Sequence, residues 1–223
     1  MTERPIIFSG DMVRAIIDGR KTQTRRVLGF QPLEILTPRN RTKRSLDQVT
    51  RMWSGTRTWF ALTERGQTVE GNRGTAFRCK YGEVGDRLWV REAFFDHDNG
   101  RPMPATRSEL LERVEYRATP WDHEFADPEE CGPWRSPIHM PRWASRLTLK
   151  ITEVQVQRVK EIGRIDAQAE GFERTPGLPI DPRDWFRSRW DSINAKRGFG
   201  WDANPWVWAI TFQVRPPEGG TER

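Results

Sequence analysis

Cysteine and histidine are both scarce in this chain. The two cysteines, Cys79 and Cys131, stand far apart and form no CxxC pair. They exclude a disulfide framework and fit a reducing compartment. The three histidines, His97, His123 and His139, show no metal-ligand spacing, so neither a metal nor another cofactor is expected. No signal peptide and no run of 18 apolar residues is present, which points to a soluble cytoplasmic protein with no membrane partner. Hydrophobic residues make up only 35% of the chain, yet 11 Trp and 11 Phe carry much of the apolar area. Each such ring buries roughly 150–250 Å². Most of the Trp belong in a core, and some can serve as stacking surfaces. The 223 residues suffice for one large domain without disulfides or metals. Lys plus Arg number 37 against 31 Asp plus Glu, a net charge of +6 that suits either a polyanionic partner such as nucleic acid or an ordinary soluble enzyme.

Along the chain, Pro5 to Phe8 reads as a first strand. Ser9 is placed to cap a helix and Asp11 to complement its positive end. Met12, Val13, Ile16 and Ile17 share one face at helical spacing, and Gly19 ends the helix as a left-handed cap. Lys21 to Thr24 then fall in a turn with exposed backbone, and Arg25 to Phe30 reads as extended. Residues 37–52 are polar and basic, with Arg39, Arg41, Lys43, Arg44 and Arg51 against the single acid Asp47. They form either a solvated loop or an arm that tracks phosphates, with Arg39, Arg41, Lys43 and Arg44 as the candidate phosphate contacts.

Short β-type runs follow at 58–62, 76–80 and, after a Gly85-Asp86 turn, Arg87 to Glu92. In the last, Leu88 and Val90 face one way, Trp89 and Arg91 the other. A short helical patch at Ser108–Leu111 precedes a strand over Arg113–Ala118. Residues 119–143 read as a long ordered loop whose end, Ser136 to Trp143, is stiffened by two prolines. Leu147 to Val159 alternates as a strand broken near Thr152-Glu153, a break that suggests a bulge or bend as in a small barrel. Asp166 is placed to cap one turn, Ala167 to Glu170, ended by Gly171; taken alone, Glu170 reads as a surface acid. Asp181-Pro182 starts a helix whose buried stripe is Trp185, Phe186, Arg189, Trp190 and Ile193, ended by Gly198 and Gly200. Pro205 opens a last strand, Trp206 to Phe212, apolar on both faces and therefore central. The expected architecture is one α+β domain over residues 1–215. It is built on a bent, barrel-like sheet with short flanking helices, long inserted loops at about 31–57 and 96–143, and a flexible tail at 216–223.

The chemistry concentrates in Gly19-Arg20-Lys21-Thr22-Gln23-Thr24-Arg25-Arg26, which offers an amine, hydroxyls and guanidinium groups within eight residues. A lysine and a threonine three apart can act together on an acyl or phosphoryl group. The same stretch also reads as a basic helix-to-strand turn with its charges in water.

This stretch, with the helix before it, resembles the opening of ASCH domains. Gly85 to Glu92, Ile138 to Arg146, Asp166 to Gly171 and Asn204 to Trp208 resemble further ASCH motifs, in an order similar to the large phage and prophage members of that family. The resemblance spans roughly residues 5 to 214 and implies a PUA-like bent β-barrel. Small members of the family are amidohydrolases of N4-acetylcytidine. Carried over by motif, the resemblance puts catalytic roles on Lys21, Thr24 and Glu170. Within the same motifs Arg26, Trp89, Arg91, Glu92, His139, Met140, Arg142 and Trp143 are the candidates for binding substrate.

Three activities are compatible with this pattern. In a hydrolase, Thr24 attacks an acyl carbonyl, Lys21 serves as its base or holds the oxyanion, and Glu170 guides water or protonates the leaving amine. In a reader, a mouth lined by Trp and Arg holds a splayed base of RNA, a single strand or a modified nucleoside without chemistry. In a ribonuclease, Lys21 and Arg26 stabilise a phosphorane while Glu170 takes a proton. The long loops leave the substrate open, and the oligomeric state is not legible.

Overall fold

The last strand lies inside the sheet, paired on both sides, as its two apolar faces demand. β1 (Glu3–Ile7), β2 (Gln23–Val27), β5 (Arg87–Arg91), β8 (Thr148–Arg158) and β9 (Trp206–Arg215) form one five-stranded sheet in the order β1-β5-β8-β9-β2. β1 and β5 pair in parallel; the other neighbours are antiparallel. Two small pairs stand apart: β3 (Glu34–Leu36) with β4 (Phe60–Leu62), and β6 (Phe94–Asp96) with β7 (Val114–Tyr116). The helices are α1 (Gly10–Ile17), α2 (Arg164–Ala169) and α3 (Pro182–Asn194). The computed structural model describes residues 1–29, 31, 34–36, 60–62, 79–97, 113–119, 134–174 and 179–215. The basic arm at 37–52, the patch at 108–111, His123, Cys131 and the tail at 216–223 lie outside them, as do residues 58–59 of the 58–62 run and 76–78 of the 76–80 run.

The sheet sorts its residues by face. Leu88, Val90, Leu149, Ile151, Val154, Val156, Trp208, Ile210 and Phe212 turn inward with Ile6, Phe8 and the buried side of α1 to make the main core. The opposite face of β2, β8 and β9 is covered at one end by α2 and α3, where Phe186, Trp190, Trp201 and Val207 pack with Ala167 and Ile162. A third cluster joins Phe94, Val114, Tyr116, Met140 and Ala144. The break expected near Thr152-Glu153 is a shift of register between Ile151 and Glu153, and it bends β8 against β9. Among the described residues the sheet is open, with β1 and β2 as its edges. These edges approach at one end, where Arg26 Nη2 donates to the Ile7 carbonyl at 2.6 Å and lies 5.0 Å over the Phe8 ring. The mixed α+β class is as expected, and no helix among the described residues is long and apolar enough to cross a membrane.

Several local expectations need correcting. Ser9 occupies the N-cap of α1 but makes no capping bond; its hydroxyl instead accepts from Arg189 at 3.2 Å. Ala15 takes the buried place expected of Ile17, which is 45% exposed, because the face turned to the sheet is Val13, Ala15 and Ile16. α2 starts two residues before Asp166, with Gly163 as its cap. α3 begins as expected: Asp181 Oδ1 accepts from the Arg183 amide at 2.8 Å, with Pro182 at the first position, a cap worth about 1 kcal/mol. Its stripe ends on Asn194 rather than Ile193, which is 58% exposed.

Two of the motifs are tied together in the interior. Glu92 follows β5, and its carboxylate takes Arg146 Nε at 2.9 Å and Nη2 at 2.8 Å. Arg146 also lies 4.0 Å from the Tyr116 ring centroid. Burial pushes the Glu92 carboxyl up, while Arg146 holds it down. Arg146→Ala leaves that carboxylate buried without its partner and is expected to cost roughly 3–5 kcal/mol at neutral pH. The variant's Glu92 is pushed further up, so its fold retains a proton that the unfolded chain releases above about pH 4.3. Stability then falls as pH rises through the folded-state value, and the deficit against wild type is larger at about pH 7 than at pH 5. Urea denaturation at the two pH values measures it; a deficit independent of pH contradicts the assignment.

Candidate functional site

The junction of α1, β2 and α2 is built on backbone bonds. The Lys21 amide donates to the Ala15 carbonyl at 2.8 Å and the Thr22 amide to the Ala169 carbonyl at 2.9 Å. Lys21 and Glu170 form an isolated antiparallel bridge. The exposed turn expected at Lys21–Thr24 is therefore hydrogen-bonded chain, with Gln23 and Thr24 already in β2. Glu170 is buried rather than a surface acid, because α2 delivers it against the edge of the sheet.

The side chains complete the junction. Lys21 Nζ donates to Glu170 Oε2 at 2.7 Å, to the Glu170 carbonyl at 2.8 Å and to the Gln23 carbonyl at 2.9 Å. Three acceptors match the three N–H groups of an ammonium, which leaves no lone pair on the nitrogen. Burial nevertheless pulls Lys21 below the ordinary lysine range, and the Glu170 carboxylate pulls it back up. The second carboxylate oxygen, Oε1, accepts from Arg25 Nη1 at 3.1 Å. Arg25 also reaches Gln23 Oε1 at 2.6 Å and Asp166 Oδ2 at 3.2 Å; with the Gln157 amide turned to present its oxygen, that oxygen accepts from Arg25 Nη2 and Nε at 2.9 and 3.0 Å. Every charge in this network has a partner, which is the condition for keeping charges out of water.

Thr24 and Arg26 leave β2 on the other face, opposite Ile210 and Trp208. Thr24 is buried, and among the described residues it makes no hydrogen bond to Lys21 or Glu170. Lys21 and Glu170 thus meet directly, while Thr24 stands beside them on the strand. Beyond its bond to Ile7, Arg26 has a buried Nε with no hydrogen-bond partner, and no carboxylate among the described residues pairs with it.

The remaining candidates divide between core and outer surface. Met140 is wholly buried, and its Sδ accepts from the Glu92 amide at 3.4 Å. Trp143 packs on the third cluster, with the Arg113 guanidinium 5.1 Å from its ring. Trp89 is buried on the outer face of β5 beneath Arg91 at 4.5 Å and Arg142 at 5.9 Å. His139 is exposed in a 3-10 turn. Arg39, Arg41, Lys43 and Arg44 lie outside the described residues. No group of metal-ligating side chains occurs among the described residues.

Sequence reasoning missed Arg25, Asp166 and Gln157. Strand alternation carries the signal for Arg25, since Lys21, Gln23 and Arg25 recur at period two and can reach one carboxylate. Asp166 stands four residues before Glu170, one helical turn away.

Neither a family model nor a curated protein matches the chain. Among solved structures it is similar to an ASCH domain from Lactobacillus crispatus, at 10% identity over 96% of this chain and 79% of that one, with a TM-score of 0.38. It is also similar to a DUF984 protein from Enterococcus faecalis, at 9% identity over 100% of this chain and 86% of that one, with a TM-score of 0.39.

Gly171 makes the close approach possible. Its φ is +102°, and a Cβ there stands 3.0 Å from Ala15 Cβ and 3.3 Å from Lys21 Cβ. Gly171→Ala is therefore expected to lose roughly 1–3 kcal/mol, read as a lowered midpoint in urea. An unchanged midpoint contradicts the packing described.

Proposed function

We propose that the protein binds RNA, a single strand or a modified nucleoside, holding a base at Arg26 on the inner face of β2, with Thr24 and Lys21 nearby in the chain. The observation that carries this reading is Arg26: among the described residues its guanidinium has no acid partner and its buried Nε no acceptor, beside a network whose charges are paired. Such a donor is short of an acceptor, and a base carbonyl or a phosphate oxygen supplies one. The basic balance of the chain and its ASCH-like motifs point the same way. The approach of the two sheet edges through Arg26 and Ile7 supports a PUA-like barrel as the frame.

The expected result is that wild type binds cytidine monophosphate or a short RNA, and that Arg26→Ala weakens binding about tenfold or more, the size of a hydrogen bond to a charged group. Isothermal titration measures it, and equal affinity for both proteins removes Arg26 from the site.

Hydrolysis of an acylated cytidine is a second reading, favoured by the Thr24 hydroxyl, which has no hydrogen-bond partner among the described residues and stands three residues from Lys21. Thr24 Oγ1 attacks the acyl carbonyl, its proton passes to the departing N4 amine as the C–N bond breaks, and water then cleaves the acyl-threonine ester, returning the hydroxyl and releasing the carboxylic acid. Lys21, with all three N–H groups engaged, is in the form that stabilises negative charge rather than the form that accepts a proton. Release of cytidine from N4-acetylcytidine by wild type, absent in Thr24→Val, is the expected outcome under this reading. No release by wild type leaves binding alone.

A further inference from the structure

The face of the sheet turned away from the main core is covered by α2 and α3 only where β2, β8 and β9 run past them. Toward β1 it changes character. On β5, Arg87, Trp89 and Arg91 alternate outward, each about 6.6 Å from the next along the strand. Across the ladder stand Thr148 and the exposed Lys150, and Arg142 joins them over Trp89. The acid on this patch is Glu3, 2.9 Å from Arg142 Nε and 3.7 Å from Arg87 Nη1. These two arginines hold the Glu3 carboxyl below its usual range.

Arg91 and Lys150 have no such neutralisation. Neither has a carboxylate partner among the described residues. Arg91 is stacked 4.5 Å over Trp89, donates through Nη1 to the Ile138 carbonyl at 3.3 Å and leaves a buried Nε without a partner. The stack fixes the guanidinium in place, and Lys150 supplies a second charge at the other end of the strip. Exposed Ile7 (41%) and Ile138 (58%) flank Arg91 and offer apolar area to a ring.

We infer that this outer face of β1, β5 and β8 is a second nucleic-acid contact, a platform that holds the sugar-phosphate chain of a single strand through Arg91 and Lys150. The inference rests on the nucleic-acid reading above and assigns the strand beyond the seated base to a separate surface. A mononucleoside has too little backbone to reach both surfaces, whereas a longer strand gains phosphate contacts on the platform.

The test is the salt dependence of binding to a single-stranded oligocytidylate of about a dozen nucleotides, followed by fluorescence anisotropy. Each phosphate contact contributes about 0.7 to the slope of log affinity against log salt for a single strand. Arg91→Gln and Lys150→Gln are each expected to lower the slope by about that amount and the double variant by about twice as much, while Arg91→Lys retains it. Lys150 is exposed, so Lys150→Gln reads the platform even if loss of Arg91 from Trp89 harms folding. An unchanged slope and affinity in Lys150→Gln and in the folded double variant overturn the platform and leave the Arg26 site standing. A wild type that binds no oligonucleotide overturns both.

Discussion

The ion pair between Lys21 and Glu170 closes three elements on one point. Its ammonium belongs to the chain leaving α1, its carboxylate to the end of α2, and β2 supplies both a carbonyl and Arg25 around it. An unpaired charge at this depth is strongly destabilising, so neither partner is tolerated alone. The geometry answers that constraint with three further partners: Arg25 takes the free carboxylate oxygen, and Asp166 and Gln157 take the rest of Arg25. The result fixes where β2 runs, and with it where Thr24 and Arg26 emerge on the inner face.

This arrangement separates scaffold from ligand-facing groups. Lys21 and Glu170 are spent on each other, whereas Arg26 is held by one carbonyl and an aromatic ring and retains donor capacity. The same contrast recurs at the end of β5, where Glu92 and Arg146 satisfy each other in the interior and Arg91, on the outer face, has no acid partner among the described residues. In both places a motif contributes one residue to a closed buried pair and another that keeps donor capacity. A lysine and a carboxylate that lie in a hydrolytic motif can therefore be retained for architecture alone, and activity lost on replacing either must be read against stability.

Much of the fold was legible in the chain. The doubly apolar run at Trp206–Phe212 required a central strand, and the alternation of Leu88 and Val90 against Trp89 and Arg91 assigned both faces of β5. Asp181-Pro182 marked a helix start by capping chemistry that needs no tertiary information. Expectations failed where tertiary contact decided the outcome. Ile17 and Ile193 have the right spacing for burial, but the neighbouring elements cover Ala15 and Asn194 instead. Ser9 has the right residue type for a cap, but Arg189 from a distant helix claims its hydroxyl. The meeting of Lys21 with Glu170 was expected only through family resemblance. Nothing local in either segment reveals a partner 149 residues away, nor that Arg25 would complete the pair.

The most direct measurement is a double-mutant cycle on Lys21→Met and Glu170→Leu, with the stability of all four proteins taken from chemical denaturation. The junction described predicts that each single change is severe and that the double variant recovers part of the loss, with a coupling energy of about 2 kcal/mol or more, in the upper range for groups in direct contact. Additivity within about 0.5 kcal/mol, the behaviour of independent sites, contradicts the claim that this one buried pair holds α1, α2 and β2 together.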